Sequence, residues 1–214
     1  MRAMILAAGR GERMRPLTDH TPKPLLKVKG QPLIVYHIKT LAKIGIKDIV
    51  INLGHLGHKI ETALGNGDTW GVRIQYSYED PILETGGGVV KALPLLGSDP
   101  FIVVSGDIYT DYPFERLPKN PTHLLHIVLV DNPPHHPRGD FALVDGFVLE
   151  SGGPLLNFAG IYVYRPEFFE GCTVGVYSIG PLMRKMIRNR QVTGEYYQGM
   201  WHNVGTPQQL EEIN

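Results

Sequence analysis

The sequence predicts an α/β fold in which helices cover both faces of a mixed, mostly parallel sheet. Strand and helix patterns alternate through the first half of the chain, and the strands are nearly unbroken runs of Val, Ile and Leu. Such runs are expected when a parallel sheet is buried on both faces. After about residue 120 strands follow one another with a hairpin between two of them, which indicates an antiparallel addition to the sheet.

The elements of the first half follow from their apolar runs and from the residues that bound them. MILAA is predicted to be a buried strand that ends at the glycines of the first loop. Pro32 opens the helical stretch LIVYHIKTLAKIG, and Gly45 ends it. Strands and helices then alternate, in the order strand DIVINLG, helix HKIETALGNG, strand VRIQYSYE, helix VVKALPLL and strand FIVVSGD.

The second half is predicted to contain more strands and two helices. Asp145-Gly146 separates two alternating runs in FALVDGFVLE, which favours a hairpin with a type I′ turn. Thr206 and Pro207 are typical of a helix start, as the capping residue and the first helical residue. The other segments are the strands HLLHIVLV and NFAGIYVYRP and the helix IGPLMRKMIRNRQ.

Composition excludes several classes of function. The 214 residues include 21 Lys and Arg against 21 Asp and Glu, so no overall field attracts nucleic acid or an anionic membrane. Cys172 is the single cysteine, which rules out an intrachain disulfide and fits a reducing compartment. The amino-terminal apolar run is too short to span a bilayer and has no signal-peptide pattern. We therefore expect a cytoplasmic protein, as a monomer or small homo-oligomer.

The stretch LAAGRGERMRPLT places glycines and cations directly after the first strand. Ligands of open α/β sheets bind beyond the carboxyl ends of the strands, which is where Gly9 and Gly11 fall. The dinucleotide fingerprint fails because Met14 replaces its third glycine, and no P-loop is present. Arg13 and Lys23 predict a loop that folds over one polyphosphate, the alternative being a tight turn with surface cations.

Two further segments carry candidate chemistry. Asp107 follows the buried strand FIVVS, where a carboxylate is well placed to hold Mg²⁺; the alternative is that it caps a turn. The three glycines of ETGGG precede a helix and predict backbone against which a flat ligand lies, the alternative being a flexible loop.

These motifs together resemble the signature of the sugar-phosphate nucleotidyltransferases. The matching stretches are LAAGxGxRMxPLT with PKPLL, then ETGGG, the strand-end GD, FAGIYVY and WHNVGTPQQL. The resemblance implies a Rossmann-like three-layer α/β/α sandwich of the nucleotide-diphospho-sugar transferase type. It implies one domain over residues 1–214, with a nucleotide-binding half at 1–120 and a sugar-binding half at 121–214.

The resemblance also implies partners and residue roles. The partners are a nucleoside triphosphate, a sugar 1-phosphate and Mg²⁺. Arg13 and Lys23 would be the catalytic cations, and Asp107 and Asn203 the metal ligands. The implied nucleotide-binding residues are Ala8, Gly9, Gly11, Glu12, Arg13, Lys23, Glu79, Gly87 and Gly106, and the implied sugar-binding residues are Asp140, Glu150 and Asn157.

The sequence leaves the substrates open and departs from the family at one position. Its length and motif combination favour the branch that uses UTP and N-acetylmuramate α-1-phosphate. Guanylyl transfer to mannose 1-phosphate, or transfer to another hexose phosphate, is the alternative. Relatives have Asp in WxDxGT where this chain has Asn203, which predicts weaker metal binding or a non-catalytic nucleotide-sugar-binding protein.

Overall fold

A nine-stranded sheet forms the centre of the molecule in the computed structural model, which describes residues 1–214. Its strand order is β5-β4-β1-β6-β11-β8-β12-β10-β9. The strands of the sheet are β1 (Arg2–Leu6), β4 (Asp48–Leu53), β5 (Arg73–Tyr78), β6 (Phe101–Ser105), β8 (Leu125–Val130), β9 (Phe141–Val144), β10 (Phe147–Leu149), β11 (Leu155–Tyr164) and β12 (Val192–Tyr196). Two short strand pairs lie outside it, β2 (Lys27–Val28) with β3 (Gln31–Pro32) and β7 (Ile108–Thr110) with β13 (Trp201–Asn203).

The sheet is parallel on one side and mixed on the other, as the sequence predicts. Strands β5, β4, β1 and β6 are parallel, and Met4 lies beside both Val50 of β4 and Val103 of β6. Strand β11 is antiparallel to β6 and to β8, and β12 then pairs in parallel with β8. The β9–β10 hairpin closes the far edge in antiparallel fashion.

Helices cover both faces of the sheet. Side chains along each strand point alternately to the two faces, so the apolar strands need a covering layer on each side. The helices are α1 (Leu33–Lys43), α2 (Gly57–Leu64), α3 (Glu84–Leu96), α4 (Gly180–Arg188) and α5 (Pro207–Glu212). Ile5 of β1 belongs to a core of 26 buried residues that includes α1 and α2. The adjacent Met4 belongs to a second core of 21, which includes α3 and α4. This arrangement confirms the three-layer α/β/α class.

A third, smaller core joins the first loop to the carboxyl-terminal segment. Met14 of the loop is fully buried there with Val28, Val204 and Leu210. Because these residues come from both ends of the chain, their packing holds the first loop beside the segment that contains Asn203.

Local signals in the sequence are confirmed where they were strongest. Asp145 and Gly146 have φ of 50° and 78°, as a type I′ turn requires. Thr206 accepts a hydrogen bond from the Gln209 amide at 3.3 Å, and Pro207 is the first residue of α5. Helix α3 begins at Glu84, earlier than predicted, and strands β7, β12 and β13 were not predicted.

None of the helices has the length and apolar character needed to cross a membrane.

Candidate active site

A polar cleft lies along the carboxyl edge of the parallel strands. Its volume is about 760 Å³, and only 4 of its 20 lining residues are hydrophobic. A cleft of this composition at this edge suits a charged, polar ligand. The implied ligand-binding residues that line it are Ala8, Gly9, Gly11, Glu12, Arg13, Lys23, Glu79, Gly106 and Asp107.

The first loop folds back on itself, so that residues distant in sequence share one wall of the cleft. Gly11 has φ of +64°, and a Cβ at this position would lie 3.0 Å from Thr18 Cγ2 and 3.3 Å from Lys23 Cβ. The Thr18 hydroxyl donates a hydrogen bond to the Gly11 carbonyl at 2.8 Å. Glycine at this position therefore lets Lys23 lie against the turn that follows β1.

The arginines of this loop differ in their partners. Arg10 and Arg13 line the cleft, are exposed and form no ion pair with the protein. Arg15 instead pairs with Asp19 at 3.3 Å and does not line the cleft. Two free guanidinium groups in a polar cleft suit the oxygens of a phosphate chain.

Lys23 and Asp107 meet at the centre of the site. The ammonium nitrogen of Lys23 lies 2.7 Å from Oδ2 of Asp107, and their side chains are 13% and 34% exposed. The turn that carries Asp107 packs directly on β1, because the Gly106 amide donates to the Leu6 carbonyl at 2.9 Å. A Cβ on Gly106 would lie 2.4 Å from that carbonyl oxygen, so the turn requires glycine. A cation and a carboxylate that are 84 residues apart thus form one centre.

Asn203 lies next to this centre without lining the cleft. It is opposite Ile108 in the β7–β13 pair, and the Val204 amide donates to the Asp107 carbonyl at 2.8 Å. A Cβ on Gly205 would lie 2.8 Å from Asn203 Oδ1 and 3.4 Å from an Arg13 guanidinium nitrogen. The first loop and the carboxyl-terminal segment therefore converge here.

The residues present fit one kind of metal site. No group of three or more His, Cys, Asp or Glu side chains is arranged to hold an ion. Four carboxylates line the cleft, and Asp107 is the one that adjoins the segment of Asn203, so these two residues are the candidate ligands. Mg²⁺ is commonly bound by one or two carboxylates together with waters and substrate phosphates, so this donor set suits an ion that binds with a nucleotide.

Glu79 is held by a buried chain of hydrogen bonds that runs through Asn52, a residue that the sequence analysis did not include. Asn52 Nδ2 donates to Glu79 Oε1 at 2.7 Å, and Asn52 Oδ1 accepts from the Ala7 amide at 2.7 Å. Glu79 Oε2 accepts from the Leu83 amide at 2.8 Å. The chain joins the ends of β1, β4 and β5 to the start of α3. Asn52 also lines the cleft, and the lone amide within the apolar strand DIVINL is the signal that could have identified it.

The structure corrects the interpretation of Gly87 and its neighbours. Gly87 does not line the cleft, and a Cβ there would lie 1.8 Å from the Gly175 carbonyl oxygen. The amides of Gly86 and Gly87 donate to the Tyr177 carbonyl at 3.0 and 3.2 Å. The glycines therefore make room for a protein segment, residues 175–177, and not for a flat ligand. Glu84 and Thr85 line the cleft instead.

Asp140 and Asn157 lie at the same sheet edge as the cleft but outside its lining. Asp140 Oδ2 accepts from the Phe158 amide at 2.9 Å, and its Oδ1 lies 3.1 Å from His136 Nε2. The buried Asn157 side chain donates to the Phe158 carbonyl at 3.0 Å. Both side chains shape the start of β11.

Glu150 is not brought to the site. Its carboxylate pairs with Arg184 at 3.4 Å and Arg188 at 3.2 Å, both on α4. These guanidinium groups lower the pKa of Glu150 against the opposing effect of burial. The expected sugar contact is therefore corrected, because the side chain is engaged with a helix that covers the sheet face.

His37 of α1 is a second residue that the sequence analysis did not include. It is fully buried, its Nε2 has no hydrogen-bond partner, and it is close enough to Asp107 to experience that charge. Burial lowers the pKa of His37 to about 4, while the Ile108 backbone and Asp107 oppose the shift. No sequence signal separated it from an ordinary helix residue. It is neutral near pH 7 and supports the turn behind Asp107.

Comparisons with known proteins agree with this geometry. Residues 2–145 match the family described as nucleotidyl transferase. The chain is 49% identical to N-acetylmuramate α-1-phosphate uridylyltransferase of Neisseria meningitidis, over 99% of this chain and 96% of that protein. It is 30% identical to mannose-1-phosphate guanyltransferase of Gibberella zeae, covering 97% of this chain but 61% of that protein. A Bacillus anthracis structure, assigned as a glucose-1-phosphate thymidylyltransferase, superposes with a TM-score of 0.87 at 23% identity, covering 100% and 94% of the two chains.

Proposed function

The chain belongs to the nucleotidyl transferase family, and from that premise we propose that it joins UTP to N-acetylmuramate α-1-phosphate. The products are UDP-N-acetylmuramate and pyrophosphate. The observation that carries the proposal is that free cations of the first loop and the carboxylate of Asp107 open into one polar cleft. The reaction would serve the recycling of cell-wall sugars in the cytoplasm.

The choice of substrates rests on similarity over whole chains. The uridylyltransferase relative is 49% identical and is covered almost completely, whereas the guanyltransferase relative is 30% identical and is covered over 61% of its length. Guanylyl transfer to mannose 1-phosphate is therefore the less favoured alternative. A nucleotide-sugar-binding protein without activity is the second alternative, motivated by Asn203.

The mechanism follows from the charges of the site. An oxygen of the sugar phosphate attacks the α-phosphorus of UTP in line, and the bond from that phosphorus to the β-phosphate bridging oxygen breaks. The attacking oxygen is already ionised, so no general base is required. Arg13 and Lys23 hold the phosphate oxygens and stabilise the charge that develops on them. Positioning two anions that repel each other is the main task of the protein.

Asp107, with the Asn203 amide beside it, would hold Mg²⁺ in the loaded enzyme. Bound there, the ion would supply charge neutralisation for the phosphate oxygens. In the structure the Lys23 ammonium pairs with Asp107 at 2.7 Å. For Asp107 to hold the ion, Lys23 would turn from the carboxylate to the phosphate chain. Nucleotide binding and metal binding would then be coupled.

Pyrophosphate release tests the proposal. The four nucleoside triphosphates should be assayed with Mg²⁺ against N-acetylmuramate 1-phosphate, N-acetylglucosamine 1-phosphate and mannose 1-phosphate. We expect the highest kcat/KM with UTP and N-acetylmuramate 1-phosphate, and loss of release in Asp107→Asn. Preference for GTP and mannose 1-phosphate would establish the first alternative. Nucleotide binding without release over hours would establish the second.

A further inference from the structure

The loop between β8 and β9, residues 131–139, leaves the sheet at the edge that carries the cleft. Strand β11 is antiparallel to both β6 and β8, so β8 runs in the same direction as β6. Both strands therefore end at one edge. Ile161 of β11 lies opposite Val104 near the end of β6, so the residues of β11 before it extend past that end. The loop begins beside this extension, where Val130 is opposite Asn157.

This loop is held in a defined shape. The side-chain nitrogen Nδ2 of Asn132 donates to the Leu155 carbonyl at 2.8 Å and to the Pro137 carbonyl at 3.3 Å. Gly139 has φ of +68°, and a Cβ there would lie 2.7 Å from both Asn132 Oδ1 and the Leu155 backbone. His136 is fixed by Asp140 at 3.1 Å. The segment is thus fastened to the start of β11.

The loop also contacts the carboxyl-terminal wall of the cleft. Nδ1 of His135 lies 2.9 Å from the side-chain nitrogen Nε2 of Gln209, and Oε1 of the same side chain accepts from the Gly205 backbone amide at 2.8 Å. Gly205 lines the cleft and is adjacent to Arg13. Two side-chain contacts therefore separate the loop from the proposed phosphate site.

Arg138 is the free guanidinium group at this edge of the sugar half. It is exposed and forms no ion pair or hydrogen bond with the protein. Arg165 pairs with Glu167, and Arg184 and Arg188 pair with Glu150. The remaining cations lie elsewhere, because Lys185 is on α4 and Arg190 precedes β12, which starts at the opposite edge.

The proposed sugar carries a group that needs such a cation. N-acetylmuramate differs from N-acetylglucosamine by a lactyl ether that ends in a carboxylate, and mannose also lacks this group. A guanidinium group binds a carboxylate through two parallel hydrogen bonds, which a sugar without a carboxylate does not form. Building on the proposed function, we propose that Arg138 is the specificity-determining residue that binds the carboxylate of the sugar substrate.

Two sugar phosphates and four forms of the enzyme test this assignment. Wild-type protein and Arg138→Met are assayed with UTP, Mg²⁺ and either N-acetylmuramate 1-phosphate or N-acetylglucosamine 1-phosphate. In the variant we expect kcat/KM for the muramate to fall roughly 10- to 100-fold through KM, as for loss of a charged hydrogen bond. The value for the glucosamine should change less than about twofold, since its contacts are the same in both enzymes. Arg138→Lys should retain part of the preference, and Arg190→Met, a matched loss of an exposed arginine, should retain all of it.

The possible failures are distinguishable. If Arg138→Met keeps the wild-type preference, or loses activity equally with both sugars, the role of Arg138 is wrong and the proposed function stands. If the wild-type protein uses neither sugar phosphate, or does not prefer the muramate, the proposed substrate is wrong and the role of Arg138 with it. The methyl ester of the muramate carboxylate gives a second measurement on wild-type protein. It should lose as much kcat/KM as the variant does, and an unchanged value would overturn the assignment.

Discussion

Lys23 and Asp107 show how single residues prepare the site before any ligand binds. Their contact of 2.7 Å pairs the two charges with each other. It also means that the carboxylate is occupied until another anion attracts the lysine. At the residue scale, the proposed mechanism therefore requires that an ion and a phosphate chain bind together.

The first prediction concerns this pair. Lys23→Met should raise the affinity of the nucleotide-free protein for Mn²⁺ about tenfold, because the competing ammonium is removed from Asp107. Electron paramagnetic resonance of free Mn²⁺ measures the affinity. Lys27→Met removes an exposed lysine and is the control, for which we expect little change. Unchanged or weaker Mn²⁺ binding in Lys23→Met would show that the lysine does not compete.

Arg13 carries the second prediction. Arg13→Ala should lower kcat about 10²- to 10³-fold, the loss typical of one donor to a developing oxyanion. Arg15→Ala is the matched control, since Arg15 pairs with Asp19 and does not line the cleft. Steady-state pyrophosphate release measures both. Near-normal turnover of Arg13→Ala would refute the catalytic role.

Asn203 carries the third prediction. Asn203→Asp should lower the Mg²⁺ concentration for half-maximal activity or raise the maximal rate, because a second carboxylate would stand beside Asp107. A Mg²⁺ titration of the initial rate decides the matter. If neither quantity changes, the amide does not limit metal binding.

At the scale of elements, α3 and the segment 175–177 depend on each other. The fourth prediction is that Gly87→Ala lowers the free energy of unfolding by about 1–3 kcal/mol, because its Cβ would overlap the Gly175 carbonyl. Urea denaturation measures the change. Gly180→Ala at the start of α4 is the control, since its Cβ would meet only one atom, at 4.0 Å. A variant Gly87→Ala as stable as the wild type would mean that the segment moves away at no cost.

Helix α1 carries the fifth prediction, a dependence of stability on pH. Burial lowers the pKa of His37 to about 4 from an ordinary 6.5, so between these values the unfolded chain binds more protons than the native one. Stability should therefore fall as pH falls through this window, by up to about 3 kcal/mol from this residue. Denaturant titrations at pH 7 and pH 4 measure the loss. His37→Phe should reduce it, and an unchanged pH dependence would exclude His37 as its source.

The elements also show which parts of the structure were open to prediction. Asp145-Gly146 and Thr206-Pro207 act over a few residues, so their turn and cap were read correctly. Strand β7 forms because it pairs with β13, which lies about 90 residues later in the chain. No local sequence pattern predicts this pairing. Long-range pairing is the reason that such strands were missed.

The same distinction holds for the site across the whole molecule. Arg13 and Lys23 were predicted from the cationic loop after β1, and Asp107 from the end of a buried strand. All three line one cleft because the fold brings strand ends together. Gly87 and Glu150 were misread because their partners, Gly175 and the arginines of α4, are distant in sequence. The division into a nucleotide half and a sugar half remains a prediction from family resemblance.

The central claim is that the cations of the first loop and the carboxylate of Asp107 converge on one phosphate chain. A crystal structure with Mn²⁺ and a non-hydrolysable UTP analogue tests this claim most directly. We predict an anomalous Mn²⁺ peak within about 2.0–2.4 Å of an Asp107 carboxylate oxygen, close to the usual Mg²⁺ ligand distance. Lys23 Nζ should have left Asp107 for a phosphate oxygen. A structure in which the nucleotide is bound while Lys23 still pairs with Asp107, with no ion at that carboxylate, would contradict the account.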